Sequence, residues 1–152
     1  MNNARKRAME LFKQGYNCSQ SVFGAFCEEC GIDFETALKL SSSFGGGMGR
    51  LREVCGAVSG MFMVAGMQYG YSDPKDSQSK AEHYKLIQEL AEQFKEKNGS
   101  IVCKELLGLS NQKDSYIPEK RTSEYYKKRP CAEIVGDAAQ IIEEFIKVKD
   151  RG

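Results

Sequence analysis

The chain has 152 residues, one domain's worth of sequence and enough to bury a core without covalent staples. Lys plus Arg is 22 and Asp plus Glu is 21, a formal charge of +1, which lacks the basic surplus of a nucleic-acid binder. A single histidine excludes a histidine-rich metal site, and 6 cysteines are too few for a disulfide scaffold yet more than core packing needs.

The opening MNNARKRAMELFKQGYNC contains no uninterrupted apolar stretch of the secretory kind. A cytoplasmic location is therefore expected, where thiols stay reduced unless they have a task. Asn2 or Asn3 is placed to cap a first helix that runs to about Gln14 and presents Ala8, Leu11 and Phe12, with Gly15 ending it. Asn17 starts a second helix, and Gln20 three residues later gives a capping-box pattern. Val22, Phe23, Ala25, Phe26 and Cys27 form its apolar face, and Gly31 closes it. Asp33 caps a third helix carrying Phe34, Ala37, Leu38 and Leu40. Ser41-Ser42-Ser43 and Gly45-Gly46-Gly47 then break the pattern into a loop.

A fourth helix is expected from about Arg52–Cys55 to Tyr69. Residues 54–72 carry no charge, but Gly56, Gly60, Gly66 and Gly70 dilute them too far for a bilayer span. A central helix of a soluble bundle fits better, and no membrane partner is expected. The fifth helix, 77–98, shows Ala81, Tyr84, Ile87, Ala91 and Phe94 at steps of three and four, with Leu90 alongside, and Asn98-Gly99 ends it. His83 reads as an ordinary residue of this helix. Ser100 caps a short sixth helix with Ile101, Val102, Leu106 and Leu107. Residues 108–129 are polar, tyrosine-rich and irregular. Pro130 suits the first turn of a last helix whose stripe is Ala132, Val135, Ala138, Ala139, Ile142, Phe145 and Ile146. No stretch alternates with a period of two. The expectation is a single all-α domain over 1–152, a bundle of five to seven helices with 54–69 at its centre.

Four cysteines fall at predicted helix starts. Cys18 follows the Asn17 cap, Cys103 lies three residues after Ser100, Cys131 follows Pro130, and Cys55 opens the central helix. Free N–H groups and the positive dipole end at such positions favour thiolate. Helix polarity thus predicts that Cys18, Cys55, Cys103 and Cys131 cluster at one end of the bundle, beside Gly45–Gly49. Cys27 and Cys30 form a CxxC at a helix end with Glu28 and Glu29 between them, where both dipole and charge oppose thiolate. A thioredoxin-type motif would instead follow a strand and open a helix. These two are expected to be dispensable.

The segment Gly45-Gly46-Gly47-Met48-Gly49-Arg50 lacks the spacing and lysine of a phosphate loop. Its glycines permit close backbone approach, or they form a mere flexible connection; Arg50 and Arg52 add positive charge near Cys55. Gly56 and Gly60, four apart, put small residues on one helix face for close packing. Met48, Met61, Met63 and Met67 read as core residues.

Cys18, then Cys55-Gly56-Ala57-Val58-Ser59-Gly60, then Cys103 and Cys131 resemble the C-GCAxxG-C-C family of redox-active proteins. That family is of about this length, with four characteristic cysteines and a CGAxxG motif. The order Cys-Gly-Ala here differs from that in the family's name. Cys27 and Cys30 lie outside the pattern. The resemblance implies a redox role for the four cysteines and no substrate.

Three functions compete. Cys18, Cys55, Cys103 and Cys131 could bind an iron–sulfur cluster for electron transfer, although the gaps of 37, 48 and 28 residues are far longer than in compact ferredoxin runs. Alternatively the protein exchanges thiols and disulfides, with Cys55 beside Arg50 and Arg52 as the nucleophile and another of the four resolving. Thirdly, the same four hold a structural zinc ion, with four thiolate ligands, in a helical interaction module. A redox partner of unspecified identity goes with the first two, and self-association into a homo-oligomer is left open.

Overall fold

A computed structural model gives the fold of residues 3–108, 115–128 and 130–151. It is all-α, as expected. The helices are α1 (Ala4–Lys13), α2 (Cys18–Ala25), α3 (Phe34–Ser41), α4 (Gly56–Tyr69), α5 (Ser77–Asn98), the single turn α6 (Cys103–Leu106), α7 (Ser123–Lys128) and α8 (Cys131–Arg151). Seven of these answer to the expected helices. The remaining one, α7, lies in the segment expected to be irregular, of which 109–114 and Arg129 are outside the described residues. Among the described residues the extended pairing is confined to one antiparallel bridge between Val54 and Val102.

The centre of the bundle is α2, α4 and α8. Helix α4 packs on α2 and α8, and α1 covers α8 and α2. α4 has no polar stripe because it has almost no open side: Gly56, Ala57, Val58, Ser59, Gly60, Met61, Val64 and Ala65 are all buried. Fully burying a side chain such as Val58, Met61 or Val64 stabilises the fold by about 1.5–3 kcal/mol. Two glycines set the approach of α2. A Cβ on Gly56 would lie 2.9 Å from the Phe44 carbonyl oxygen and 3.1 Å from Cys18 Cβ, and one on Gly60 would lie 2.9 Å from both the Ser19 carbonyl oxygen and Val22 Cβ. The helix cost of each glycine, about 1 kcal/mol, is thus offset by backbone-to-backbone packing. No described helix is long and apolar enough to cross a membrane.

Local chemistry explains several helix starts. Asn17 and Gln20 make the full reciprocal capping box, Gln20 N–H donating to Asn17 Oδ1 at 2.9 Å and Asn17 N–H to Gln20 Oε1 at 3.1 Å. Asp33 Oδ2 accepts from Thr36 N–H at 3.0 Å. Hydrogen bonds from the Thr36 hydroxyl and N–H favour the charged carboxylate and hold Asp33 below its ordinary range.

Several local expectations need correction. Asn3 sits at the start of α1 without a side-chain cap, and Asn2 is outside the described residues. The Ala4 N–H instead donates to Oε2 of the buried Glu143 on α8, at 2.9 Å. Helix α2 stops at Ala25, not near Gly31. Phe26 breaks the helical geometry, and one further turn then closes in a Schellman motif, with Ile32 N–H on Cys27 C=O and Gly31 N–H on Glu28 C=O. The inward face of α5 is His83, Leu86, Ile87, Leu90, Ala91 and Phe94; Ala81 and Tyr84 point to solvent. Leu40 and Met67 are also exposed, not core. Ser100 lies two residues before the N-cap Val102 of α6, where its hydroxyl accepts from Val102 N–H and donates to Glu105 Oε1.

Candidate functional site: a four-cysteine cavity

Cys18, Cys103 and Cys131 are the first residues of α2, α6 and α8, and Cys55 is the N-cap of α4. All four line one cavity of about 70 Å³, room for roughly five water-sized spheres. Gly46 and Gly47 line it too, so the expected cluster beside the glycine segment is what the backbone builds. The other two thiols are elsewhere: Cys27 lies in a separate groove beside Glu28 and Glu29, and Cys30 is within 3.9 Å of Gln68 Nε2.

The Val54–Val102 bridge explains half of the convergence. Cys55 N–H donates to Ile101 C=O at 2.8 Å and Cys103 N–H to Glu53 C=O at 2.6 Å. In an extended pair, alternation sends Cys55 and Cys103 to the face opposite Val54 and Val102. The glycine loop supplies another wall. Gly46, Gly47, Met48, Gly49 and Arg50 all have positive φ, as does Arg52. This is a left-handed turn of five consecutive residues, tied by Gly49 N–H to Gly45 C=O at 2.9 Å and Glu53 N–H to Gly47 C=O at 3.0 Å. It is a hydrogen-bonded structure, not a mere flexible connection. A Cβ on Gly47 would lie 2.7 Å from Cys103 Cβ, so the turn brings main chain against that cysteine. Each left-handed L-residue costs roughly 1–2 kcal/mol, which Met48, Arg50 and Arg52 all incur.

The electrostatics differ from expectation. Cys55 is not the acidic thiol that nearby Arg50 and Arg52 suggest. Burial pushes it up to about 12, against the opposing effect of hydrogen bonds from Ala57 and Val58 N–H; Cys103 and Cys131 add to the rise. Cys18 is also raised, first by a hydrogen bond with the Cys131 side chain, then by burial and the other three sulfurs. Helix starts favour thiolate, but loss of solvent from a shared cavity outweighs them. Arg52 is 4% exposed, and its Nη1 donates to Cys103 Sγ at 3.5 Å, so its charge serves Cys103. Cys27 and Cys30 are raised as well, both chiefly by burial, with Glu28 and Glu29 contributing at Cys27.

Sequence reasoning missed the cavity's outer wall. Arg121 and Tyr125 line it. Arg121 donates to the carbonyls of Phe12 and Tyr16, the latter at 2.6 Å, and lies 4.0 Å above the Phe12 ring. Arg50 Nε reaches Ser115 C=O at 2.7 Å. The strap 115–128 is thereby pinned across the cysteine end of the bundle. No periodic signal marked it, because its anchors are single long-range hydrogen bonds.

Among the described residues, no three His, Cys, Asp or Glu side chains are arranged to hold one metal ion. The cavity lining nevertheless gathers four sulfurs and two arginines, with no described carboxylate or histidine.

A protein of Archaeoglobus fulgidus described as "Uncharacterized protein" is 27% identical over 145 residues, covering 91% of this chain and 89% of the relative. No solved structure matches the chain. Residues 16–145 match the family described as "Putative redox-active protein (C_GCAxxG_C_C)" and span all four cavity cysteines, so the chain belongs to that redox-active family.

Proposed function

We propose that the protein is an electron-transfer module that holds an iron–sulfur cluster through Cys18, Cys55, Cys103 and Cys131. The observation that carries this reading is the common cavity of four thiols lined by no described carboxylate. Soft thiolate donors select iron–sulfur clusters and related soft metals over hard cations. Burial and the neighbouring sulfurs make Cys18 and Cys55 resist ionisation. A positively charged metal core would relieve that repulsion and replace the protons. When bound, such a cluster supplies one-electron redox chemistry. The chain's own residues do the rest. Ala57 and Val58 N–H groups steady the Cys55 sulfur. Arg52 offsets negative charge at Cys103. Phe12, Leu106, Leu107 and Ile134 exclude water. A structural zinc ion would draw on the same four thiolates, and metal analysis separates it from the cluster.

The Cys18–Cys131 hydrogen bond favours a second reading, reversible disulfide formation. There, two thiols lose two electrons and two protons to an acceptor, and Cys18 with Cys131 replaces Cys55 as the reacting pair. Anaerobic purification with iron and sulfide analysis and a visible spectrum separates the two. Bound iron and sulfide with visible absorption are expected. A colourless, iron-free chain after reconstitution, in which two thiols disappear on oxidation, would favour the disulfide.

A further inference from the structure

Outside the cysteine cavity lies a second hollow of about 260 Å³ that shares Asn17, Gly46, Arg52, Arg121 and Tyr125 with it. Its charged side chains are Arg50, Arg52, Arg121 and Glu119, so the hollow carries two net positive charges. Two tyrosines, Tyr116 and Tyr125, stand among them.

Arg121 is the decisive residue. Its side chain is partly buried and lines both hollows. Its partners are the neutral Phe12 and Tyr16 carbonyls and the rings of Phe12 and Tyr125. Glu119 is the one described carboxylate lining the hollow, against three arginines, so positive charge is in excess there. The carbonyls occupy one N–H on each terminal nitrogen, so the planar fork keeps donors for an anion. Arg50 and Arg52 line the same hollow from the left-handed turn, whose hydrogen bonds fix their backbone.

We infer that this outer hollow is a binding site for a dianionic, phosphate-type oxyanion, either free or as the terminal group of a larger molecule, delivered to the mouth of the four-cysteine cavity. The net charge of the hollow matches a dianion, and guanidinium forks suit tetrahedral oxyanions. The tyrosine faces would add contact area for an ester group. The inference stands on the hollow itself and does not require the cluster.

Equilibrium dialysis of the full-length protein as isolated, against radiolabelled inorganic phosphate and in parallel against phenyl phosphate, tests it. Saturable binding near one equivalent is expected, weakening as salt rises. Arg121→Gln should weaken it by about tenfold to a hundredfold, and Arg121→Lys should recover part of the loss. Tighter binding of phenyl phosphate identifies the terminal group of a larger molecule; equal or weaker binding identifies the free ion. No saturable binding of either probe, or binding unmoved by Arg121→Gln in a protein that keeps its helix content, overturns the inference. Should Arg121→Gln loosen the strap and unfold, Arg50→Gln decides on the same criterion. Iron content is scored separately, so iron-free protein that binds phosphate counts against the cluster alone.

Discussion

The molecule contains two settings for cysteine. In the cavity, four thiols sit at the starts of helices or at an N-cap, ringed by main-chain N–H groups and arginines. In the turn after α2, Cys27 and Cys30 flank two glutamates at a helix end closed by Gly31. Burial raises thiols in both. What separates them is the surroundings: the cavity sets helix starts and two arginines around its sulfurs with no described carboxylate, and the turn sets Glu28 and Glu29, the latter paired with Arg7, beside an open groove. Thiol acidity alone would not have distinguished them.

The sharpest way to test that contrast is to remove one sulfur at a time. Serine at Cys18, Cys55, Cys103 or Cys131 should each abolish most bound iron and visible absorption, whereas Cys27→Ala with Cys30→Ala should keep both. Iron retained by Cys55→Ser, or lost from the folded double variant, would collapse the distinction.

A second test uses pH on the reduced, metal-free chain. Cys55 is raised from 9.0 to about 12 in the fold, so the folded state holds its proton where the unfolded state releases it. Stability from this group is complete below pH 9 and is lost as pH rises through about 12, in total roughly 4 kcal/mol at about 1.4 kcal/mol per unit. Denaturant unfolding from about pH 8 to about pH 11 should show a falling curve that Cys55→Ser flattens. A curve level across that range would mean the sulfur is not sealed from water.

Packing gives a smaller effect. Gly60→Ala should destabilise by about 1–3 kcal/mol, because the new methyl meets the Ser19 carbonyl and Val22. Gly66→Ala, with nothing within 4 Å of its Cβ, should be neutral or stabilising by up to about 1 kcal/mol. Equal melting temperatures for the two would refute the backbone contact between α2 and α4. The smallest expected change belongs to Cys30→Ala, below about 1 kcal/mol in thermal unfolding, since its side chain is only partly buried.

How much of this could be read from sequence follows from the range of the forces involved. The Asn17 capping box and the Asp33 cap are local hydrogen bonds, written in residues three apart, and both were legible. So was the convergence of four helix starts, because helix polarity constrains where an end can lie. The acidity expected of Cys55 was not, since it depends on how much water four remote segments exclude. Arg121 was invisible for the same reason: its partners, Phe12 and Tyr16, are over a hundred residues away. The α5 stripe was partly misread because Ala81 and Tyr84 have the right spacing but no neighbouring helix to cover them.

The Ala4–Glu143 hydrogen bond carries a consequence for biosynthesis. Helix α1 is completed by a carboxylate 139 residues downstream, and Arg5 reaches Glu133 and Asp137 on the same late helix. A ribosome emits the chain from one end, so α1 must wait, incompletely covered, until α8 has cleared the exit tunnel. Cys131 arrives with that helix. The cavity therefore cannot close before α8 has emerged, and whatever it holds is loaded only after that helix is made.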